Sequence, residues 1–200
     1  MKTAALIAIA GLASVASAQS ATVNLTHDDA DGLILVGESV TWTMSVSFTG
    51  FTGDPVAGGG NMAINGDNAV GTSGAMTYTP TNGGNNGGSS NGAGIGFVNW
   101  TNSLFLEAFN PGSPADRSNP FIVGTFSYTG DALGTANMSV DQGGAVSAFL
   151  GIDISAFATT NLNSADVARN VQGLTVTDIP SPASAALLGL GGLVATRRRR

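Results

Sequence analysis

The sequence contains no cysteine, one histidine and few charged residues, and these absences exclude several kinds of protein. Without cysteine the chain forms no disulfide and no thiolate metal site. The lone histidine, His27, leaves too few ligands for a zinc enzyme. The aspartates adjacent to it in sequence are poorly placed to orient its ring in a Ser-His-Asp triad, and no G-x-S-x-G sequence is present. We therefore expect a protein that is not an enzyme.

Basic residues are nearly absent from the body of the chain. Five of the seven are Lys2 and the final four arginines, whereas the stretch between them holds two arginines against all 13 acidic residues, a formal charge of −11. Nucleic-acid binding requires a basic surface, so this class of partner is excluded. An acidic body suits an exported protein.

The first 18 residues have the pattern of a signal peptide. Lys2 is followed by an apolar stretch, and Ala16 and Ala18 form an A-x-A cleavage site before Gln19. We expect export by the Sec machinery and a mature domain of residues 19–178. The alternative is a first buried helix.

The last 22 residues, 179–200, have three parts in a fixed order. Pro180, Ser181 and Pro182 are followed by an uncharged apolar run, residues 183–196. Counted from Ile179, the apolar stretch has 18 residues and would span about 27 Å as a helix, enough for a short transmembrane helix. The positive-inside rule places the basic end on the cytoplasmic side. This end consists of Arg197, Arg198, Arg199 and Arg200. The alternative is a buried helix with a basic end.

This three-part tail resembles a PEP-CTERM sorting signal. The resemblance implies that an exosortase in the cytoplasmic membrane recognises the tail, removes it, and leaves the protein released or attached at the surface. Pro180, Ser181 and Pro182 match the Pro-Glu-Pro of the family, with Ser181 in place of glutamate. The membrane would then be a transient anchor.

The body has the two-residue period of β-strands. Ser39 to Thr49 alternates apolar side chains with threonine and serine, which predicts one buried face and one hydroxyl-rich face. The stretch nearest to a helical period is Ser164 to Val171, where one turn of helix could form. The stretch Pro80 to Gly94 is rich in glycine and asparagine and is expected to be a mobile surface loop. We therefore predict an all-β, antiparallel β-sandwich or jelly roll. The other predicted strands are Phe97 to Trp100, Leu104 to Phe109, Phe121 to Thr129, Gly134 to Val140, Val146 to Ile152 and Val171 to Thr177.

The order of three strand sequences resembles that of cohesin-like jelly rolls. These are Val36-Gly37-Glu38-Ser39-Val40, Gly124-Thr125-Phe126-Ser127-Tyr128 and Gly134-Thr135-Ala136-Asn137-Met138. The resemblance implies a bacterial binding module.

The acidic cluster that begins at His27 partly fits a calcium-binding loop. Asp29, Asp31 and Glu38 fall at positions three, five and twelve of an EF-hand loop, with Asp28 beside them. The first position holds His27 instead of aspartate, and a strand rather than a helix follows. Two interpretations stay open: a calcium site of another geometry using Asp28, Asp29 and Asp31, or an acidic turn between strands.

Four aromatic residues could form a sugar-stacking platform if they were exposed: Trp42, Trp100, Tyr78 and Tyr128. Trp42 lies on the apolar side of its strand and is expected in the core, whereas Trp100 could lie on either side. A glycosidase needs two carboxylates at a set separation, and Glu38 and Glu107 are the two glutamates of the sequence. The simpler interpretation is exposed charges at strand ends.

These observations together predict an exported, exosortase-processed protein of the cell surface or extracellular matrix with a structural or adhesive role. An extracellular module that binds a glycan or calcium is the alternative, with an extracellular polysaccharide as a further partner. A secreted hydrolase is the remote alternative.

Overall fold

The structure, a computed structural model, describes residues 19–51, 55–79, 85–102, 115–141, 149–153, 158–163 and 166–178. Within these ranges the chain forms β-strands and no α-helix. The strands in chain order are β1 (Ser20–His27), β2 (Leu33–Leu35), β3 (Ser39–Thr49), β4 (Pro55–Asn65), β5 (Gly71–Ser73), β6 (Thr77–Tyr78), β7 (Asn86–Gly87), β8 (Ser90–Asn91), β9 (Gly94–Thr101), β10 (Phe121–Gly130), β11 (Gly134–Thr135), β12 (Ser139–Asp141), β13 (Phe149–Asp153), β14 (Ala158–Leu162), β15 (Val167–Val171) and β16 (Thr175–Thr177).

Two large sheets form the sandwich and a small sheet lies at one end. Sheet A has the order β15-β1-β3-β10-β5, with β6 also on β10. Sheet C has the order β14-β13-β4-β9-β7, with β12 also on β4 and β8 also on β9. The third sheet, which we call the end sheet, has the order β11-β16-β2. Most pairs are antiparallel, but β1 with β15 and β16 with β2 are parallel.

The core lies between the inward faces of sheets A and C. The strand β3 alternates as predicted, with Trp42, Met44 and Val46 fully buried and the hydroxyl side chains between them pointing outward. From sheet C, Trp100 stacks on Phe121 of sheet A with ring centroids 5.2 Å apart. The two sheets are therefore joined through a common aromatic and aliphatic core.

The end sheet covers one end of this core. Ile34 and Val176 are buried on its inner side. They approach Gly130, the last residue of β10, so closely that a Cβ there would lie 2.8 Å from Val176. Gly37 N–H donates to the Gly130 carbonyl over 2.7 Å, which ties the end of β2 to sheet A.

Several predicted elements differ from the structure. The stretch expected as a turn of helix forms the strand β15, because its neighbour β1 offers an open edge for parallel pairing. The predicted strand from Gly134 to Val140 is two short strands in different sheets, separated at Asn137, which has a φ of 47°. Similarly, Val171 to Thr177 is divided between β15 and β16.

The predicted loop from Pro80 to Gly94 is also wrong in its second half. Residues 86–87 and 90–91 form short strands on β9, and Ala93 is fully buried. The Ala93 N–H donates to Asn68 Oδ1 over 2.6 Å. This contact with a residue distant in sequence fixes a segment whose composition predicted a mobile loop. The strands predicted at 39–49, 97–100 and 121–129 are confirmed within one to three residues. The stretch 104–109 lies outside the described residues.

Candidate functional site

The acidic turn, residues 28–32, follows β1 and uses its carboxylates to bind backbone amides. Asp29 Oδ1 accepts hydrogen bonds from Gly32 N at 2.7 Å and Leu33 N at 3.0 Å. Asp31 Oδ1 accepts from Leu33 N at 3.1 Å, and Asp28 Oδ1 accepts from Thr41 N at 2.9 Å. The turn therefore has the hydrogen bonding of an Asx-type turn.

The pKa of Asp29 reflects this arrangement. Desolvation raises the pKa of this carboxyl, but the hydrogen bonds from Asp31 and from the backbone N–H groups of Leu33 and Gly32 outweigh it, and the pKa is lowered. The ionised form is thus the one that the turn stabilises.

Calcium binding by Asp28, Asp29 and Asp31 finds no support in this geometry. Among the described residues, no group of three or more histidine, cysteine, aspartate or glutamate side chains is placed to hold a metal ion. The arrangement agrees with the second sequence interpretation, an acidic turn between strands.

His27 is buried in a structural position at the end of β1. Its Nε2 lies 2.8 Å from the carbonyl oxygen of Gly173, and its backbone N–H donates to Gln172 Oε1 over 3.0 Å. The ring meets Trp42 edge-on, with centroids 4.8 Å apart. These contacts join β1 to the crossover between β15 and β16, which leaves His27 as a packing residue.

The predicted aromatic platform does not form, because three of its four members are in the core. Trp42, Trp100 and Tyr128 are each at most 1% exposed. Tyr78 is half-buried, and its hydroxyl bridges two strands, donating to the Asn86 carbonyl at 2.7 Å and accepting from Asn99 N at 3.2 Å. Burial raises the pKa of Tyr78 despite the hydrogen bond from the Asn99 amide.

Glu38 is also engaged with the backbone, since its Oε2 accepts from Leu35 N at 2.9 Å. Glu107 lies outside the described residues, so the glutamate pair is not tested. The sorting and cleavage residues also lie outside them, apart from Gln19, which is exposed. These are Ala16, Ala18, Pro180, Ser181, Pro182, Arg197, Arg198, Arg199 and Arg200. The described residues contain no helix that is long and apolar enough to cross a membrane.

The outward face of sheet A is an uncharged array of hydroxyl groups, which we call the hydroxyl face. One row crosses four strands: Thr26 pairs with Thr43, Thr43 with Thr125 and Thr125 with Thr77. Neighbouring rows add serine and threonine from the same strands. The face thus offers hydroxyl and methyl groups, with the exposed side chain of Ile122 beside Ser45, and no charge to select a partner.

The outward face of sheet C is rich in side-chain amides, and we call it the amide face. Asn61, Asn99 and Asn86 form one row across β4, β9 and β7. Asn99 Nδ2 donates to Asn86 Oδ1 over 3.1 Å, whereas Asn61 Oδ1 is buried and has no hydrogen-bond partner. Phe97, on the same strand as Asn99, is 40% exposed.

The neighbouring row of the amide face is low in relief. Gly59 pairs with Thr101 there, and a Cβ at Gly59 would lie 2.9 Å from the Trp100 carbonyl oxygen. Gly59 is itself buried, so this row offers no open backbone to a partner. The groups that this face presents to a partner are the amides of Asn86 and Asn99 and the ring of Phe97.

Sequence reasoning missed the amide face because β4 was not predicted. Its sequence, PVAGGGNMAIN, contains three consecutive glycines, and glycine disfavours strands. The signal was present at its end, where Asn61, Ala63 and Asn65 alternate with Met62 and Ile64.

No protein-family model matches this sequence, and no curated protein matches it. Solved structures do match. The type II cohesin A11 from Bacteroides cellulosolvens has a TM-score of 0.51 and 12% identity, covering 79% of this chain and 99% of that one. A type II cohesin domain from the cellulosome of Acetivibrio cellulolyticus has a TM-score of 0.50 and 13% identity, covering 78% and 95%.

The fold is cohesin-like. This confirms the strand-pattern resemblance for the fold of the body. The cohesin-like sandwich spans nearly the whole of each of these modules, so the similarity extends over both large sheets rather than one hairpin.

Proposed function

We propose that this chain is an exported, non-catalytic module of the cell surface or extracellular matrix that binds a protein partner through its amide face. We further propose that the C-terminal tail delivers it there, inserting in the cytoplasmic membrane until an exosortase removes the tail. The role is structural or adhesive.

The observation that carries the binding proposal is the row of side-chain amides that begins at Asn61 on the outward face of sheet C and ends at the exposed Asn86. Asn61 Oδ1 itself is covered by neighbouring atoms, so the groups that a partner can reach are those next to Asn61 in the row. Asn99 and Asn86 beside it can both donate and accept. A protein backbone presents donors and acceptors in the same alternation, which suits a row of amides across three strands.

The cohesin-like fold supports a role as an extracellular module, since one of the similar structures comes from a cellulosome. The non-catalytic role is supported by the described titratable residues. The histidine and the one described glutamate serve turns and strand ends, and the three aspartates of the acidic turn bind backbone amides.

A photo-crosslinking amino acid at position 99 tests the binding proposal. In the native host we expect the surface fraction to contain an adduct of the chain with another protein. The same amino acid at Ser45, which faces outward from sheet A, is the control and should give no such adduct. A polysaccharide adduct at position 99 would support the glycan alternative instead, and equal labelling from positions 45 and 99 would contradict a specific face.

Replacement of Pro180 and Pro182 by alanine tests the sorting proposal. We expect the double variant to remain uncut in the membrane fraction, because the processing sequence is altered. Pro55→Ala, at the start of β4, controls for loss of a proline elsewhere. Normal release of the double variant would contradict recognition by an exosortase.

A further inference from the structure

The outer side of the end sheet carries leucine and threonine side chains. Because Ile34 and Val176 point into the core, the residues that alternate with them point outward. Leu33 is 51% exposed there and pairs with Thr175, while Leu35 pairs with Thr177. The inner face of the end sheet packs against the core, and two leucines, Leu33 and Leu35, lie on its outer face.

Two further exposed apolar side chains adjoin the end sheet. Val36, directly after β2, is 47% exposed, and Leu133, directly before β11, is 59% exposed. Three of the five exposed large apolar side chains in the described chain therefore belong to the end sheet or adjoin it: Leu33, Val36 and Leu133. Such clustering marks a contact surface more often than scattered single residues do. We call these three residues with Leu35 the leucine face.

The chain leaves the domain at this surface. The central strand β16 ends at Thr177, and five residues separate it from the apolar run that begins at Ala183. Fully extended, five residues reach about 17 Å. A bilayer entered by that run would therefore lie within about 17 Å of the end sheet.

We propose that the leucine face rests on the bilayer surface while the tail is inserted. This inference depends on the proposed membrane insertion of the tail and specifies how the domain is then oriented. The side chains of the leucine face are uncharged, which suits the interfacial region of a bilayer. Five carboxylates lie in or beside the segments that carry this face and stay hydrated, so a zwitterionic surface is favoured over an anionic one. They are Glu38, Asp131, Asp178, and Asp29 and Asp31, which accept hydrogen bonds from Leu33 N.

The consequence is that the domain presents the processing sequence to the exosortase at a constant distance from the membrane. With the leucine face on the bilayer, Asp178, the last described residue, is held near the membrane surface rather than at a varying height above it. Removal of the tail removes the constraint, and the domain leaves with the leucine face exposed to water.

Site-specific fluorescence tests the orientation, and the absence of cysteine makes single labelling simple. Leu133→Cys would carry an environment-sensitive label, with the full chain reconstituted in phosphatidylcholine vesicles that contain headgroup spin-labelled lipid. Thr49→Cys is the control, because Thr49 is exposed at the far end of β3, about 33 Å along the strand from Ser39. Resistance of the chain to carbonate extraction is measured on the same samples.

We expect the label at position 133 to be quenched by spin-labelled lipid and to lose its access to aqueous iodide, with neither effect at position 49. The added double change Leu33→Ser and Val36→Ser should restore iodide access at position 133, whereas Phe97→Ser on the amide face should not. An inserted chain in which both labels are equally accessible to iodide would overturn the inference and leave the sorting proposal intact. A chain that is not inserted would overturn both. A label at position 133 could instead be protected from iodide, unaffected by the spin-labelled lipid, and exposed again on dilution. That result would assign the leucine face to contact with a second copy of the chain and overturn the inference.

Discussion

A methyl group at Gly60 should destabilise the protein, because the ring of Trp100 occupies its place. A Cβ built at Gly60 would lie 2.9 Å from Nε1 and 3.0 Å from Cε2 and Cζ2 of Trp100. The ring is 1% exposed and stacked on Phe121, so it has little room to shift. Overpacking of this kind costs about 1–3 kcal/mol. The gain from replacing a strand glycine, about 0.5–1 kcal/mol, offsets only part of it.

We therefore expect Gly60→Ala to lower the free energy of unfolding by on the order of 1 kcal/mol. In a domain of this size, that is about 2–4 °C in Tm. Urea unfolding followed by tryptophan fluorescence measures it, since Trp42 and Trp100 are both buried. Gly173→Ala is the matched control. Nothing lies within 4 Å of a Cβ there, so its Tm should be unchanged or slightly higher.

A double-mutant cycle with Trp100→Phe tests the cause. Phenylalanine lacks the ring atoms that the new methyl would meet, so the pair should be less destabilised than the sum of the two single changes. A coupling of about 1 kcal/mol is expected. Additive effects would mean that residues 60 and 100 do not face each other. The β4–β9 register, and with it the outward position of Asn61 and Asn99, would then be wrong.

Three further predictions concern the turns and the amide face. Asp29→Asn should be less stable than wild type above the ordinary aspartate pKa of 3.8, because the folded-state pKa of Asp29 is lowered. The difference in Tm should shrink as pH falls below 3.8 and vanish below the lowered folded-state pKa, which Tm across acid pH measures. Burial raises the pKa of Tyr78 and favours its protonated form in the fold, so the wild-type protein should lose stability as pH rises above about 10. Tyr78→Phe should not show this loss, and a variant with the same pH profile as wild type would contradict the prediction. Millimolar calcium should leave Tm equal to that in EDTA, because the three carboxylates of the acidic turn bind backbone amides; a rise in Tm would contradict that assignment.

The sequence predicted the long strands because burial on one side leaves a two-residue period. In β3 this period runs without interruption over 11 residues, and its bounds agree with the prediction. Trp42 was correctly placed in the core for the same reason. The sequence did not decide whether Trp100 is buried, because its cross-strand partner lies on β4. The glycine-rich sequence of β4 does not predict a strand.

Elements defined by long-range pairing could not be predicted. The strand β15 contains the exposed residues Ala168, Arg169 and Asn170 and has no two-residue apolar period; it forms by parallel pairing with β1, far away in sequence. The break at Asn137 that divides β11 from β12 is likewise a consequence of joining two different sheets.

The candidate sites show the same division. Local chemistry left the acidic cluster open between a calcium site and a turn, and the structure shows its carboxylates bonded mainly to backbone amides within five residues. The amide row required the register of three strands that are distant in sequence. The leucine face also became visible only when β2 was placed beside β16.

The most direct test of export and sorting is the intact mass of the chain recovered from its native host, fraction by fraction. We predict a chain that begins at Gln19, ends near Pro180 and is found outside the membrane. A chain that runs to Arg200 and stays in the membrane fraction would contradict processing of the tail and leave a simple C-terminal anchor.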